Sequence, residues 1–241
     1  MKMNRRILTL FTVALLASLP ALSRAQDETP DTTTAGSDTN APPTTLKELM
    51  AVNNQVTNTV GTVLIKISTT LWAGKYEVTQ DAYQKVMGNN PSVFPGGEHP
   101  VDSVNWNDAM AFCKKLTEQE QRANELPKGY QYALPTQTQW EQLVDDASLA
   151  DAVMSLNAQR RSSTATVGSR GANSLGLYDT RGNVMEWCLD PQDKPYRVLR
   201  GGAWDTFIDI NARTIFREYS SPDKTKNDYG FRVVLEPKGS E

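Results

Sequence analysis

Two stretches of this chain carry a sustained helical period of apolar residues, and the rest is cut into short apolar pieces by turn-forming residues. Ala109, Phe112, Cys113 and Leu116 lie at i, i+3, i+4 and i+7, with Asn107 as the expected N-cap. Trp140, Leu143, Val144 and Ala147 repeat the stripe behind Thr136-Gln137-Thr138-Gln139, a capping-box pattern, with Pro135 disfavouring helix in the residue before it. Around these helices the expectation is of short strands at 63–67, 75–79 and 229–235, a short helical piece over 80–87, and long connections marked by Asn-Pro and Pro-Gly pairs. The folded part thus mixes two helices, short strands and long turn-rich connections. No internal repeat is visible.

Composition narrows the chemistry. The 241 residues are 39% hydrophobic and 22% charged, with a mean hydropathy of −0.50, which excludes a polytopic membrane protein, a coiled coil and a collagen-like chain. There is one histidine, His99, and there are two cysteines, Cys113 and Cys188. That inventory cannot supply the usual structural zinc sites or a four-thiolate iron–sulfur cluster. His99, in Glu98-His99-Pro100, is expected in a turn at the surface. Asp145-Asp146 reads as a pair of helix-surface charges, and no P-loop, dinucleotide or G-x-S-x-G motif occurs.

The ends of the chain read differently from its middle. Residues 1–25 have the form of a secretory signal: Lys2, Arg5 and Arg6, an apolar run from Ile7 to Leu19, and Ser23-Arg24-Ala25 before Gln26. The run is short for a membrane span, so no transmembrane segment is expected in the mature chain, and a secreted or periplasmic location follows. Residues 26–45 contain no aromatic and no large aliphatic side chain, which predicts a disordered linker. The folded domain is expected over 46–237, with 238–241 as a tail. Without the four basic residues of 1–25, 21 basic side chains face 28 acidic ones, a net of −7, which argues against nucleic acid as a partner.

Between 171 and 235 specific motifs appear. Gly176-Leu177-Tyr178-Asp179 runs into Arg181-Gly182-Asn183-Val184-Met185-Glu186-Trp187, followed by Arg200-Gly201-Gly202-Ala203-Trp204 and Tyr229-Gly230-Phe231-Arg232-Val233-Val234. Upstream lie Glu77-Val78-Thr79, Pro100-Val101-Asp102-Ser103-Val104-Asn105-Trp106 and Leu134-Pro135-Thr136. In this order, over 63–235, the chain resembles the formylglycine-generating enzyme, or sulfatase-modifying factor, family. The resemblance implies a C-type-lectin-related α+β fold of low regular structure. Trp106, Trp140 and Trp187 are then core residues, and Trp204 faces a ligand cleft.

The same resemblance allows a test of activity. The family's oxidases hold copper on two cysteines after the Arg-Gly-Gly motif, and the matching positions here are Thr206 and Asn211. Neither offers the soft thiolate that Cu(I) prefers. Neither copper nor the histidine-bound iron of a related branch is expected, nor any catalytic residue. The resemblance further implies calcium on Asp179, the carbonyls of Gly182 and Val184, and the Glu186 carboxylate; hydrogen bonding of Glu186 to backbone amides is the alternative. The ligand cleft would comprise Trp204, Asp205, Thr206 and Asn211. Cys113 and Cys188 either form a disulfide or stay as two buried thiols. Arg200, Arg213, Arg217 and Arg232 are expected to include buried ion pairs, with an anion pocket at Arg213 and Arg217 as the alternative. The reading that follows is an exported domain without the copper site, acting as a binding or scaffold module toward an envelope protein or a glycan. The alternatives are an oxidase of altered chemistry and calcium-dependent, lectin-like recognition.

Overall fold

The computed structural model describes residues 45–155, 160–189, 195–207 and 217–239. The signal and linker expectations, Asn211, Arg213 and most of the tail lie outside them.

Local chemistry sets the helices. Helix α1 (Leu46–Val52) buries Leu46 and Met50. Helix α2 (Gln80–Met87) starts where the Thr79 side chain accepts the Ala82 amide and ends at Gly88, whose φ of 85° closes the last turn in the left-handed region. Helix α3 (Trp106–Arg122) is capped by Asn105, not Asn107. The Asn105 side chain accepts Asp108 N at 2.8 Å and the Asp108 carboxylate accepts Asn105 N at 3.2 Å, a reciprocal box two residues earlier than expected. Helix α4 (Gln137–Val144) has the expected box, with Gln139 N on Thr136 Oγ1 at 3.2 Å and Thr136 N on Gln139 Oε1 at 2.8 Å. Asp145 and Asp146 lie beyond its last residue, where they accept hydrogen bonds from Ser174.

Among the described residues, nine short strands form two sheets. The first has the order β1 (Gln55–Thr57), β2 (Val63–Lys66), β3 (Trp72–Gly74), β9 (Val234–Pro237), β4 (Tyr130–Ala133), antiparallel throughout. The second has the order β7 (Glu218–Ser220), β6 (Arg197–Arg200), β5 (Met185–Trp187), β8 (Tyr229–Gly230), with β5 and β8 parallel.

Two strand expectations are corrected. The strand expected at 75–79 lies earlier, at β3, and Lys75–Thr79 is irregular. Its backbone bonds are scattered instead of forming a ladder: Val78 N donates to the Phe231 carbonyl at 2.9 Å, and the Val78 carbonyl accepts Val101 N at 2.8 Å. The strand expected at 229–235 divides into β8 and β9, one in each sheet. Phe231, Arg232 and Val233 cross between the sheets with no exposed surface, and the carbonyls of Phe231 and Val233 accept Val78 N and Gly74 N at 2.9 and 2.8 Å. Gly230 makes the crossing possible: a Cβ there would come within 2.6 Å of the Val101 carbonyl oxygen.

The main core joins α2, α3 and both sheets. Phe112 stacks on Tyr83 at 5.7 Å and meets Phe231 edge-on at 5.3 Å, next to Trp72 and Trp187. Trp140 and Trp187 are core residues as expected. Trp106 only borders the core, donating Nε1–H to the Cys188 carbonyl at 2.9 Å beneath the Arg197 guanidinium.

Candidate functional site

The turn from Asp179 to Glu186 is built on left-handed backbone at Asp179, Gly182 and Asn183, with φ of 53°, 86° and 59°. Gly182 has no alternative, since a Cβ would lie 2.5 Å from the Val153 carbonyl oxygen. Asn183 is fully buried and its amide is saturated: Nδ2 donates to Glu77 Oε2 at 2.7 Å, and Oδ1 accepts Ala165 N at 2.9 Å. Glu77 Oε1 accepts Val184 N at 3.0 Å. Glu77 therefore holds the whole turn. Sequence reasoning quoted it only as part of a motif; an acid placed before a buried valine, in a segment otherwise bound for the core, was the available signal.

Glu186 is committed to the protein interior. Its Oε1 accepts Arg232 Nε at 3.0 Å and Nη2 at 2.8 Å, a two-pronged pair in which the side chains are 1% and 0% exposed. Its Oε2 accepts Trp140 Nε1 at 2.8 Å. Arg232 also donates to the carbonyls of Gly74 and Tyr178 at 2.8 and 2.6 Å, so it ties both sheets to the turn. Three buried carboxyls, Glu77, Asp179 and Glu186, surround this one guanidinium. Burial pushes Glu77 well above the usual carboxylate range; the charges of Asp179 and Glu186 add to the rise, and Arg232 opposes it. Burial also raises Asp179, against the Gly168 amide and Arg232.

Of the residues expected to hold calcium, the two carboxylates stand in different settings. Asp179 has one open oxygen, a buried Oδ1 without a hydrogen-bond partner; its Oδ2 accepts Gly168 N at 2.6 Å. Glu186, which should supply the decisive charge, is already neutralised by Arg232 and bonded to Trp140. Among the described residues, no three His, Cys, Asp or Glu side chains converge on a position for a metal. The alternative for Glu186, bonding to backbone amides, is corrected as well: its partners are side chains, because Arg232 enters from the crossing segment.

The cleft residues stand together in part. Thr206 closes a tight turn, with its N–H on the Ala203 carbonyl at 3.0 Å and its Oγ1 accepting Ala203 N at 2.9 Å. Trp204 is half-buried, meets Phe94 edge-on at 5.2 Å and donates Nε1–H to the Asn227 carbonyl at 3.2 Å. Asp205 is exposed beside it. Asp228, next to Asn227, was not anticipated. Burial and the Asp205 charge push it up to about 6, with Lys226 opposing.

The remaining candidates are structural. Cys113 and Cys188 are buried thiols with no bond between them. Cys113 sits in the main core, and Cys188 packs with Trp140, Val144 and Val198. Burial pushes the Cys113 thiol up, making it a poor nucleophile. Arg200 is buried over the Trp140 ring and pairs with Glu141 at 2.8 Å; Arg217 reaches the same Glu141 oxygen at 2.9 Å and Gln137 at 2.8 Å. Arg217 is thus engaged with protein groups, contrary to the anion-pocket alternative. His99 is half-buried in its turn, Nδ1 lying 3.0 Å from Thr164 Oγ1.

Two small sheets linked through a buried crossing segment, with loops carrying the Asp179–Glu186 and Gly201–Thr206 turns, define an α+β domain of the formylglycine-generating-enzyme kind, related to C-type lectins. Residues 49–237 match the family described as sulfatase-modifying factor enzyme 1-like domain, and the chain belongs to that family. It is 29% identical over 229 residues to the chaperone protein LppX of Paenibacillus barcinonensis, covering 68% of this chain and 79% of that protein. It is 29% identical over 161 residues to the inactive C-alpha-formylglycine-generating enzyme 2 of Bos taurus, covering 57% of this chain and 50% of that one. The fold superposes on Treponema denticola variable protein 1 with a TM-score of 0.60 and 25% identity, covering 76% of this chain and 94% of that one. The chain thus spans most of LppX but only half of the bovine relative. Among the described residues no helix is long and apolar enough to cross a membrane.

Proposed function

We propose that this chain is an exported, non-catalytic binding module of the cell envelope whose ligand surface surrounds Trp204. The observation that carries the reading is at position 206. Where the family's oxidases place a copper-binding thiolate stands Thr206, and its hydroxyl serves the turn by accepting Ala203 N at 2.9 Å. Asn211 occupies the second position by sequence. A hydroxyl and an amide do not hold Cu(I), and the two thiols of the chain are buried elsewhere. The likeness to a protein called a chaperone favours a polypeptide ligand over a glycan, and the signal-like residues 1–25 support export.

The test uses the full chain loaded with Cu(I) under reducing conditions, followed by metal analysis and oxygen uptake on a cysteine-containing sulfatase-type peptide. The expected result is no stoichiometric copper and no oxygen uptake above the blank. Copper retained at one ion per chain together with formylglycine in the peptide would overturn the proposal in favour of an oxidase of altered chemistry. For export, N-terminal sequencing of the protein from the producing cell is expected to begin at Gln26.

A further inference from the structure

Asp81 and Lys85 stand at i and i+4 on α2, acid before base, the order in which two such residues pair most readily. Among the described residues no ion pair joins them. The Asp81 carboxylate lies against Gly97, where a Cβ would come within 2.5 Å of Oδ1, and Lys85 Nζ donates to the Val60 carbonyl at 3.0 Å. Each charge is thus drawn to a different wall. Between the walls lies a cleft of about 360 Å³, lined by Val60, Val63, Tyr76, Asp81, Lys85 and Glu98 among others.

Both walls are held by the fold. In the β1–β2 turn, Thr59 N and Oγ1 donate to the buried Glu120 carboxylate at 3.1 and 2.7 Å, and the Asn58 side chain accepts Val60 N and Thr62 N at 3.2 and 2.8 Å. The opposite wall, 96–99, is tied to α2 by Asp81 N on the Gly97 carbonyl and Gln80 N on the His99 carbonyl, both at 3.0 Å. Val167 N donates to the Glu98 carbonyl at 3.0 Å and ties it from the other side. Tyr76 supplies an aromatic surface, its ring packed on Tyr178 at 5.2 Å and against Gly168. Exposed charges are ordinarily matched by water alone. What distinguishes these is that a favourable pair is kept apart by two fixed walls, so a ligand that enters need order little of the protein.

We propose that this cleft binds a small free zwitterion of dipeptide size, with Asp81 and Glu98 taking its ammonium, Lys85 its carboxylate, and Tyr76 and Val63 its apolar side chains. It is a second site, sharing no lining residue with the Trp204 surface. The size follows from spacing. Side chains at i and i+4 start about 5–6 Å apart, and these two diverge from there. Two extended residues span about 7 Å and a single amino acid about half of that, too little to meet both charges. An internal stretch of a protein chain carries neither charged end, so the site selects a free molecule.

The test is calorimetric titration of the full chain with the dipeptide Leu-Leu, with N-acetyl-Leu-Leu, which lacks the ammonium, with Leu-Leu amide, which lacks the carboxylate, and with leucine. The free dipeptide is expected to bind about tenfold more tightly than each of the other three, the worth of one charge-assisted contact. Asp81→Asn with Glu98→Gln should bring the dipeptide down to the affinity of its acetylated form, and Lys85→Met to that of its amide. All three side chains are exposed, so native circular dichroism is expected in each variant. Equal affinity for the dipeptide and its two blocked forms overturns the zwitterion, and leucine binding as tightly as the dipeptide overturns the size. Dipeptide binding that survives both the acidic and the lysine substitutions overturns the cleft as its place. An absence of binding by natively folded chain overturns the inference. The copper experiment judges the non-catalytic reading separately.

Discussion

The Arg232 crossing and the Trp204 ledge lie in the same small fold and treat polar groups in opposite ways. At the crossing, Glu186, Asn183 and Arg232 are buried and hydrogen-bonded to other groups of the protein. At the ledge, Phe94 and Trp204 are only half-buried and Asp205 is exposed. Buried polar groups bonded to one another hold a fold together, whereas half-exposed aromatic surface is available to a partner. The Asp179–Glu186 turn therefore helps to hold the two sheets together, and the Trp204 turn is the surface proposed above for recognition.

The sharpest way to break this comparison is to remove one anchor from each side. Arg232→Met should cost about 3–5 kcal/mol, because it strands Glu186 as a buried charge, while Trp204→Ala should cost under about 2 kcal/mol at its half-exposed site. Urea denaturation measures both, and adding Glu186→Gln to Arg232→Met should recover part of the loss. Equal costs for the two single variants would mean that the ledge is as structural as the crossing.

Gly182→Ala comes next, at about 1–3 kcal/mol, since it combines left-handed backbone with a Cβ forced against the Val153 carbonyl. A smaller effect appears in pH dependence. Glu77 and Asp179 have folded pKa values raised above their unfolded ones by burial. Their contribution is therefore fully present below the ordinary carboxylate range and is lost as pH rises through the raised folded values. The melting temperature should fall over that interval, and Glu77→Gln should flatten the slope. The smallest expected effect is that of calcium: exchanging millimolar calcium for a chelator should leave the melting temperature unchanged. A rise with calcium would instead place the ion at the open Asp179 oxygen and reinstate the turn as a metal site.

Helices α2 and α4 were legible because their signals are local. A cap and its partner stand three residues apart, and an apolar stripe repeats within two turns. The start of α3 was misread because Asn105 and Asn107 are both acceptable caps; the acid at 108, three residues after Asn105, was the discriminating sign. Legibility failed over 229–235, where burial is continuous, and over 75–79, where burial does not alternate with a period of two. It failed also for Asp228, whose setting depends on the turn that carries Trp204. The expectation at Thr206 needed only order along the chain.

By itself the sequence determined the family and the positions of helices α2 and α4, since these follow from residue identity, spacing and order. Only the tertiary structure decided that Glu186 belongs to Arg232, 46 residues away, and that Asn183 belongs to Glu77, 106 residues away. A carboxylate has the same chemistry whether a guanidinium, an indole or a metal ion approaches it. Which of them arrives is set by how distant segments pack, and that information is carried by the whole core rather than by any motif.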